Sequence, residues 1–201
     1  MGLEPITNFL NQGIVDYNYL NQTIPSYFNN VLDESYIEKL LTFLKKNNLN
    51  PNSDSADGTI NDELNRFCCK LPYHDITFNI YKNILECVIE SNKKNYNLDL
   101  SYFEHVDYCE YYKSITGLEW HIDIGPKSSN KRKLSFILFL NDANEYEGGN
   151  LEIWNDPNHY QIPNTKGGLV VFPSFLLHRL TPIKKGTRKV IIGHVSGTPY
   201  R

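Results

Sequence analysis

His121 and Asp123 are separated by a single residue, Ile122. In extended chain, residues i and i+2 face the same side, so this pair can offer an imidazole nitrogen and a carboxylate oxygen to one ion. His178 lies 55 residues beyond Asp123 in the apolar run Leu176–Leu180. A polar side chain there is out of pattern unless something satisfies it, which makes it the candidate third ligand. Two imidazoles and one carboxylate on one face of an octahedral ion leave three positions open, the arrangement of non-haem Fe(II) oxygenases. A bidentate 2-oxo acid can take two of those positions and dioxygen the third. Zinc enzymes use the same donor types, so the ligands alone leave the metal open.

Arg188 bears on that choice. It follows His178 by 10 residues and opens the next strand after the Gly186-Thr187 turn. Antiparallel pairing would then set it beside the metal-bearing strand. A planar guanidinium pairs with a carboxylate through two parallel hydrogen bonds, which suits the distal end of 2-oxoglutarate. With five Arg against 15 Lys in the chain, an Arg here is less easily accidental.

The elements that must carry these groups are legible in the periodicity. Asp33 is a candidate N-cap for a helix bearing Ile37, Leu40, Leu41 and Leu44, which ends at Lys45-Lys46-Asn47-Asn48. Ile76, Ile80, Ile84 and Val88 form the apolar stripe of a second helix over residues 75–93. After Asn97 the period drops to two, through Leu98, Leu100 and Tyr102 and then Val106, Tyr108 and Tyr112. Further strands are expected at Leu134–Leu140, Leu151–Trp154, Gly168–Phe172, Leu176–Leu180 and Lys189–Val195. Residues 1–30 read as an irregular arm or short helical turns, and 50–62 as an exposed loop, a candidate lid. The expectation is one mainly β domain with supporting helices, an antiparallel sandwich or barrel.

The run from Tyr112 through Trp120-His121-Ile122-Asp123, Leu138-Phe139-Leu140-Asn141-Asp142, Glu147-Gly148-Gly149-Asn150-Leu151, Gly168-Leu169-Val170-Val171-Phe172-Pro173-Ser174, His178, Pro182 and Gly186-Thr187-Arg188 resembles the prolyl 4-hydroxylase-like branch of the 2-oxoglutarate/Fe(II) dioxygenases. The likeness covers about the last 100 residues, and it is the combination of motifs that is specific. It implies a double-stranded β-helix (jelly-roll) core over 96–201, with 1–95 as a helical N-terminal support within a single 1–201 domain. It implies His121, Asp123 and His178 as the metal ligands, Arg188 and Tyr112 as contacts to the co-substrate, and Fe(II), 2-oxoglutarate and O2 as cofactor and co-substrates, with ascorbate as an accessory. Tyr112 shares a strand face with Val106 and Tyr108, and a buried phenol needs a partner. The implied reaction hydroxylates a C–H, with succinate and CO2 as co-products. A prolyl residue in a peptide or protein is the expected substrate, and a free amino acid or other small molecule is the alternative. A non-catalytic metal-binding jelly roll is the reading from another class, and a co-substrate anchor such as Arg188 argues against it. One departure is local: family members often carry Gly six residues before the first His, where this chain has Ile115, with Gly117 later.

Other classes are disfavoured. A net charge of −3 gives no basic face for nucleic acid, and the second Arg of the nucleic-acid demethylase branch is His194 here. Asp123 blocks the halide position a halogenase would need. No apolar run approaches the ~20 residues that cross a bilayer, and no export signal opens the chain, so a cytoplasmic setting is expected. Cys68, Cys69, Cys87 and Cys109 are read as reduced thiols. His74, His105, His159 and His194 are assigned to surface or packing roles. Trp120 and Trp154 are candidates for the substrate entrance, and Lys127, Lys131, Arg132 and Lys133 read as a solvated loop. Nothing in the sequence settles the oligomeric state.

Overall fold

The structure, a computed structural model, describes residues 23–49, 59–61, 65–113, 117–155 and 158–200. Most of the expected arm and of loop 50–62, together with Ile115, lie outside those residues.

Two helices form as the apolar spacing requires. Helix α1 (Glu34–Lys46) starts where the Asp33 carboxylate accepts the Tyr36 N–H at 2.8 Å, and it buries Ile37, Leu40 and Leu44. Helix α2 (Asp75–Ser91) buries Ile80, Ile84 and Val88, and His74 caps it in a box with Thr77. That accounts for one of the unassigned histidines. Residues 92–96 continue as a π-type turn, and the Asn92 side chain then satisfies both backbone groups of Leu98 at 2.8–2.9 Å. The alternation at Leu98 and Leu100 is therefore not strand; pairing begins at Tyr102.

The strands are β1 (Ser26–Phe28), β2 (Thr59–Asn61), β3 (Arg66–Lys70), β4 (Tyr102–Tyr111), β5 (Leu118–His121), β6 (Arg132–Phe139), β7 (Tyr146–Gly148), β8 (Leu151–Asn155), β9 (Asn158–Gln161), β10 (Leu169–Pro173), β11 (His178–Leu180), β12 (Ile183–Gly186) and β13 (Arg188–Ser196). A seven-stranded antiparallel sheet runs β1-β10-β6-β13-β4-β3-β2, and a four-stranded one β5-β11-β8-β9, with β7 and β12 forming a separate pair. Three strands of the large sheet come from the N-terminal half, where the sequence suggested only an arm, helices and loops. Short edge strands carry too few residues to show a period.

Side-chain parity splits the large sheet between two cores. Phe67, Cys69, Val106, Tyr108, Leu138, Val171 and Ile191 face the helices. Cys109, Tyr111, Phe139, Val170, Phe172 and Val190 face the small sheet, meeting Leu151, Ile153, Leu176 and Leu180. The second layer encloses the site. Among the described residues no helix is long and apolar enough to cross a membrane.

Cys68 and Cys109 stand directly opposite each other on β3 and β4 and form a disulfide, which corrects the reading of all four cysteines as thiols. Only pairing register brings the two together, and register is invisible in their spacing. Cys69 and Cys87 form no disulfide, and burial pushes the Cys87 thiol up to about 11. Closing a loop with a sequence separation of 41 limits the unfolded chain by roughly 4 kcal/mol. Reduction under native conditions should therefore lower the unfolding free energy by about 3–4 kcal/mol in urea titrations. An unchanged midpoint would show that the cross-link constrains nothing.

Candidate metal and co-substrate site

His121 and His178 are cross-strand partners at the joined edges of β5 and β11. Asp123 follows β5 and is pinned by its own N–H, which donates to the Ser174 carbonyl at 2.9 Å. Gly117 admits the chain to β5: its φ is +67°, and a Cβ there would sit 2.3 Å from the Leu180 carbonyl oxygen. One ligand atom from each of His121, Asp123 and His178 lies within 4.8 Å of the others. His121 Nε2 is 3.8 Å from Asp123 Oδ1, and His178 Nε2 is 3.5 Å from Asp123 Oδ2.

The tautomers follow from backbone contacts. Nδ1 of His121 donates to the Glu119 carbonyl at 2.7 Å and Nδ1 of His178 to the Leu176 carbonyl at 2.8 Å. A carbonyl only accepts, so Nδ1 carries a proton on each ring and Nε2 is the nitrogen left to face an ion. Burial holds the His178 imidazole below its ordinary value, which favours the neutral ring. Burial alone would raise the Asp123 carboxyl, but the hydrogen bond from His194, the electrostatic pull of the His178 and His194 rings, and the Ser135 hydroxyl outweigh it and hold it well below the usual range. Two imidazole nitrogens and an ionised carboxylate converging on one point suit a divalent cation.

His194 and His105, assigned above to packing, belong to this environment. His194 Nε2 lies 3.2 Å from Asp123 Oδ2, and His194 Nδ1 lies 3.1 Å from His105 Nε2. His194 Nε2 donates to the carboxylate while its Nδ1 shares a hydrogen bond with His105 Nε2, linking His105, His194 and Asp123 in a chain. The Ser135 hydroxyl donates to the same Oδ2 at 2.5 Å. Parity on β13 signals this placement, because Arg188 and His194 are six residues apart and share a face.

Both histidines line a cavity of about 330 Å³ between the sheets, along with His121, Asp123, His178, Tyr111, Arg66 and Arg188. Arg188 reaches it by a route other than the one expected. Its strand, β13, pairs with β4 and β6 in the large sheet and not with β11, so the guanidinium faces the metal-bearing strands across the cavity. The turn before it uses Gly186 at φ +77°, where a Cβ would meet the Glu145 carbonyl oxygen at 2.4 Å. Arg188 is 1% exposed, yet Nε and Nη2 have no hydrogen-bond partner. Burial pulls its pKa down, opposed by the phenols of Tyr146 and Tyr111. A buried guanidinium with its Nε and Nη2 edge vacant suits a carboxylate.

Tyr112 is corrected. It does share a face with Val106 and Tyr108, but that face looks to the helices. Its hydroxyl donates to Glu110 Oε2 at 2.9 Å, and the ring packs on the helix-side core. Tyr111, one residue earlier, lines the cavity, with the Arg188 guanidinium 5.4 Å from its ring centre.

The remaining expectations resolve locally. Trp120 and Trp154 meet edge to face at 5.4 Å, with Arg179 over Trp120, and neither indole lines the cavity. His159 Nε2 faces Glu152 at 3.6 Å. Arg132 is not a solvated loop residue, because it pairs with Glu104 at 2.7 Å; Lys133 is buried against the Tyr200 ring.

Comparison with known proteins bears on the fold and the family. A PKHD-type hydroxylase of Synechococcus sp. strain CC9311 is 38% identical over 79 residues, which are 39% of this chain and 36% of that protein. The match thus spans little more than a third of that relative's length. A Pseudomonas putida prolyl-4-hydroxylase superposes with a TM-score of 0.67 at 17% identity, covering 87% of this chain and 92% of that one. A Trichoplax adhaerens prolyl hydroxylase, solved with a hypoxia inducible factor oxygen degradation domain peptide fragment, gives 0.66 at 16% identity, covering 97% and 94%. At such identities these likenesses establish the fold, a mainly β chain with antiparallel sheets. The profile of the 2OG-Fe(II) oxygenase superfamily matches residues 95–196, which take in half of the chain together with His121, Asp123, His178 and Arg188, and the chain therefore belongs to that superfamily.

Proposed function

We propose that this chain is an Fe(II)- and 2-oxoglutarate-dependent dioxygenase that hydroxylates a C–H bond, most naturally in a prolyl residue of a peptide or protein. One observation carries the reading: three ion-facing donors and a fully buried, unpaired guanidinium share one cavity. Membership of the superfamily supports the reaction class. The names of its PKHD-type and prolyl hydroxylase relatives support the substrate class. The facing sheets are read as a double-stranded β-helix within one domain, to which the described part of residues 1–95 adds α1, α2 and three strands of the large sheet.

His121, Asp123 and His178 hold the iron, which when bound supplies the oxidative decarboxylation of 2-oxoglutarate to succinate and CO2 coupled to hydroxylation. His105, His194 and Ser135 keep the Asp123 carboxylate oriented, since partners of a ligand fix its geometry. Arg188 receives the distal carboxylate of 2-oxoglutarate through its Nε and Nη2 edge. Tyr111 takes the contact first assigned to Tyr112. Phe172, Leu151 and Leu180 wall the cavity and exclude water from the reacting end.

The test is succinate formation from 2-oxoglutarate with Fe(II), O2 and ascorbate, alongside a search for a +16 Da product in prolyl-containing peptides. Succinate with a hydroxylated peptide is the expected result. Absence of both succinate and 2-oxoglutarate binding would reduce the protein to a metal-binding module.

A further inference from the structure

Arg66, which the sequence did not single out, shares the cavity with Arg188. Register puts three residues in one row across the large sheet: Arg188 on β13 opposite Tyr111 on β4, and Tyr111 opposite Arg66 on β3. The two guanidiniums lie 5.4 and 5.5 Å from the Tyr111 ring centre. Arg66 Nη1 donates to the Tyr111 hydroxyl oxygen at 3.3 Å, while its Nε is buried with no partner. The next row on the same face is Val190, Cys109 and Cys68, where the disulfide ties the strand carrying Arg66 to the strand carrying Tyr111.

A phenol has one proton and accepts through oxygen lone pairs. With the oxygen accepting from a guanidinium, which cannot itself accept, the Tyr111 proton has to be donated elsewhere. The open direction is the cavity, where Arg188 presents its vacant edge. We infer that Arg66 is a positioning residue of the co-substrate pocket, aiming the Tyr111 hydroxyl as a donor to the carboxylate that Arg188 holds. This rests on the reading of the cavity as a 2-oxoglutarate site. The disulfide contributes by fixing the β3 to β4 spacing over which Arg66 reaches.

The experiment is calorimetric titration of the Zn(II)-loaded protein with 2-oxoglutarate, and in parallel with 2-oxovalerate, which lacks the distal carboxylate. Arg66→Met keeps the aliphatic stem and removes the donors. It should weaken 2-oxoglutarate by about tenfold, as expected for loss of a hydrogen bond to a charged group. The same variant should leave 2-oxovalerate within about twofold. Arg66→Lys, which restores a donor, should recover part of the loss. Because Arg66 acts through Tyr111, Arg66→Met combined with Tyr111→Phe should bind no more weakly than Tyr111→Phe alone. Tyr112→Phe serves as the control on the helix side. Equal affinities for wild type and Arg66→Met, or fully additive losses, overturn the inference while leaving the 2-oxoglutarate reading intact. Failure of the wild type to bind 2-oxoglutarate overturns both.

Discussion

Arg188→Met should lower 2-oxoglutarate affinity by about 30- to several thousand-fold while leaving the metal-free protein at least as stable as the wild type. The first half follows from truncating one partner of a buried, hydrogen-bonded charge pair, which costs about 2–5 kcal/mol. The second half is less intuitive. The guanidinium is 1% exposed, its Nε and Nη2 edge has no acceptor and, among the described residues, it is paired with no acid. A buried charge in that state is a standing cost, and apolar replacement of buried ions is often neutral or stabilising by about 1–4 kcal/mol. On the proposed function a bound carboxylate offsets that cost, which is the usual trade of stability against function. Calorimetry with 2-oxoglutarate and thermal melts of the metal-free variant check the two halves separately. A variant that binds 2-oxoglutarate normally would remove Arg188 from the pocket. One that unfolds several degrees early would show that the guanidinium supports the fold instead.

Asp123→Asn should have the complementary effect. Wild-type protein titrated with Zn(II) or Mn(II) to one hundred times its dissociation constant gains about 2.7 kcal/mol by mass action, and the variant should show none of this gain at the same concentrations. Loss of a ligand exceeds the ~10–100-fold in affinity that removing a hydrogen-bond partner of a ligand typically costs. Asn keeps the size of the side chain and an oxygen for the Ser135 hydroxyl, so the metal-free fold survives. Asp123→Ala would instead orphan His194 Nε2, at about 1–3 kcal/mol for the buried group, and leave the Ser135 hydroxyl only its Ser174 partner. Metal-dependent stabilisation that persists in Asp123→Asn would place the ion elsewhere. The two variants separate the pocket into halves, since Arg188→Met spares metal binding and Asp123→Asn removes it.

What the sequence alone determined was the chemistry and the local elements. His121 and Asp123 are linked by an i, i+2 relation that any extended segment enforces. His178 was conspicuous as a polar residue in an apolar run, and Arg188 as an arginine in a lysine-rich chain. Helices α1 and α2 could be read because their stripes span several turns, and the Asp33 cap because it is a one-residue signal. The misses share a different property. Tyr111 and Tyr112 carry the same side chain, and local alternation says only that they face opposite ways. Which face holds the metal depends on the small sheet lying over one side of the large sheet and the helices over the other. The pairing of Cys68 with Cys109, the row Arg188, Tyr111 and Arg66, and the chain from His105 through His194 to Asp123 all depend on strand register. Register joins residues dozens of positions apart through backbone hydrogen bonds that are alike at every step, so it is decided by global packing and leaves no mark in the spacing of the residues it unites.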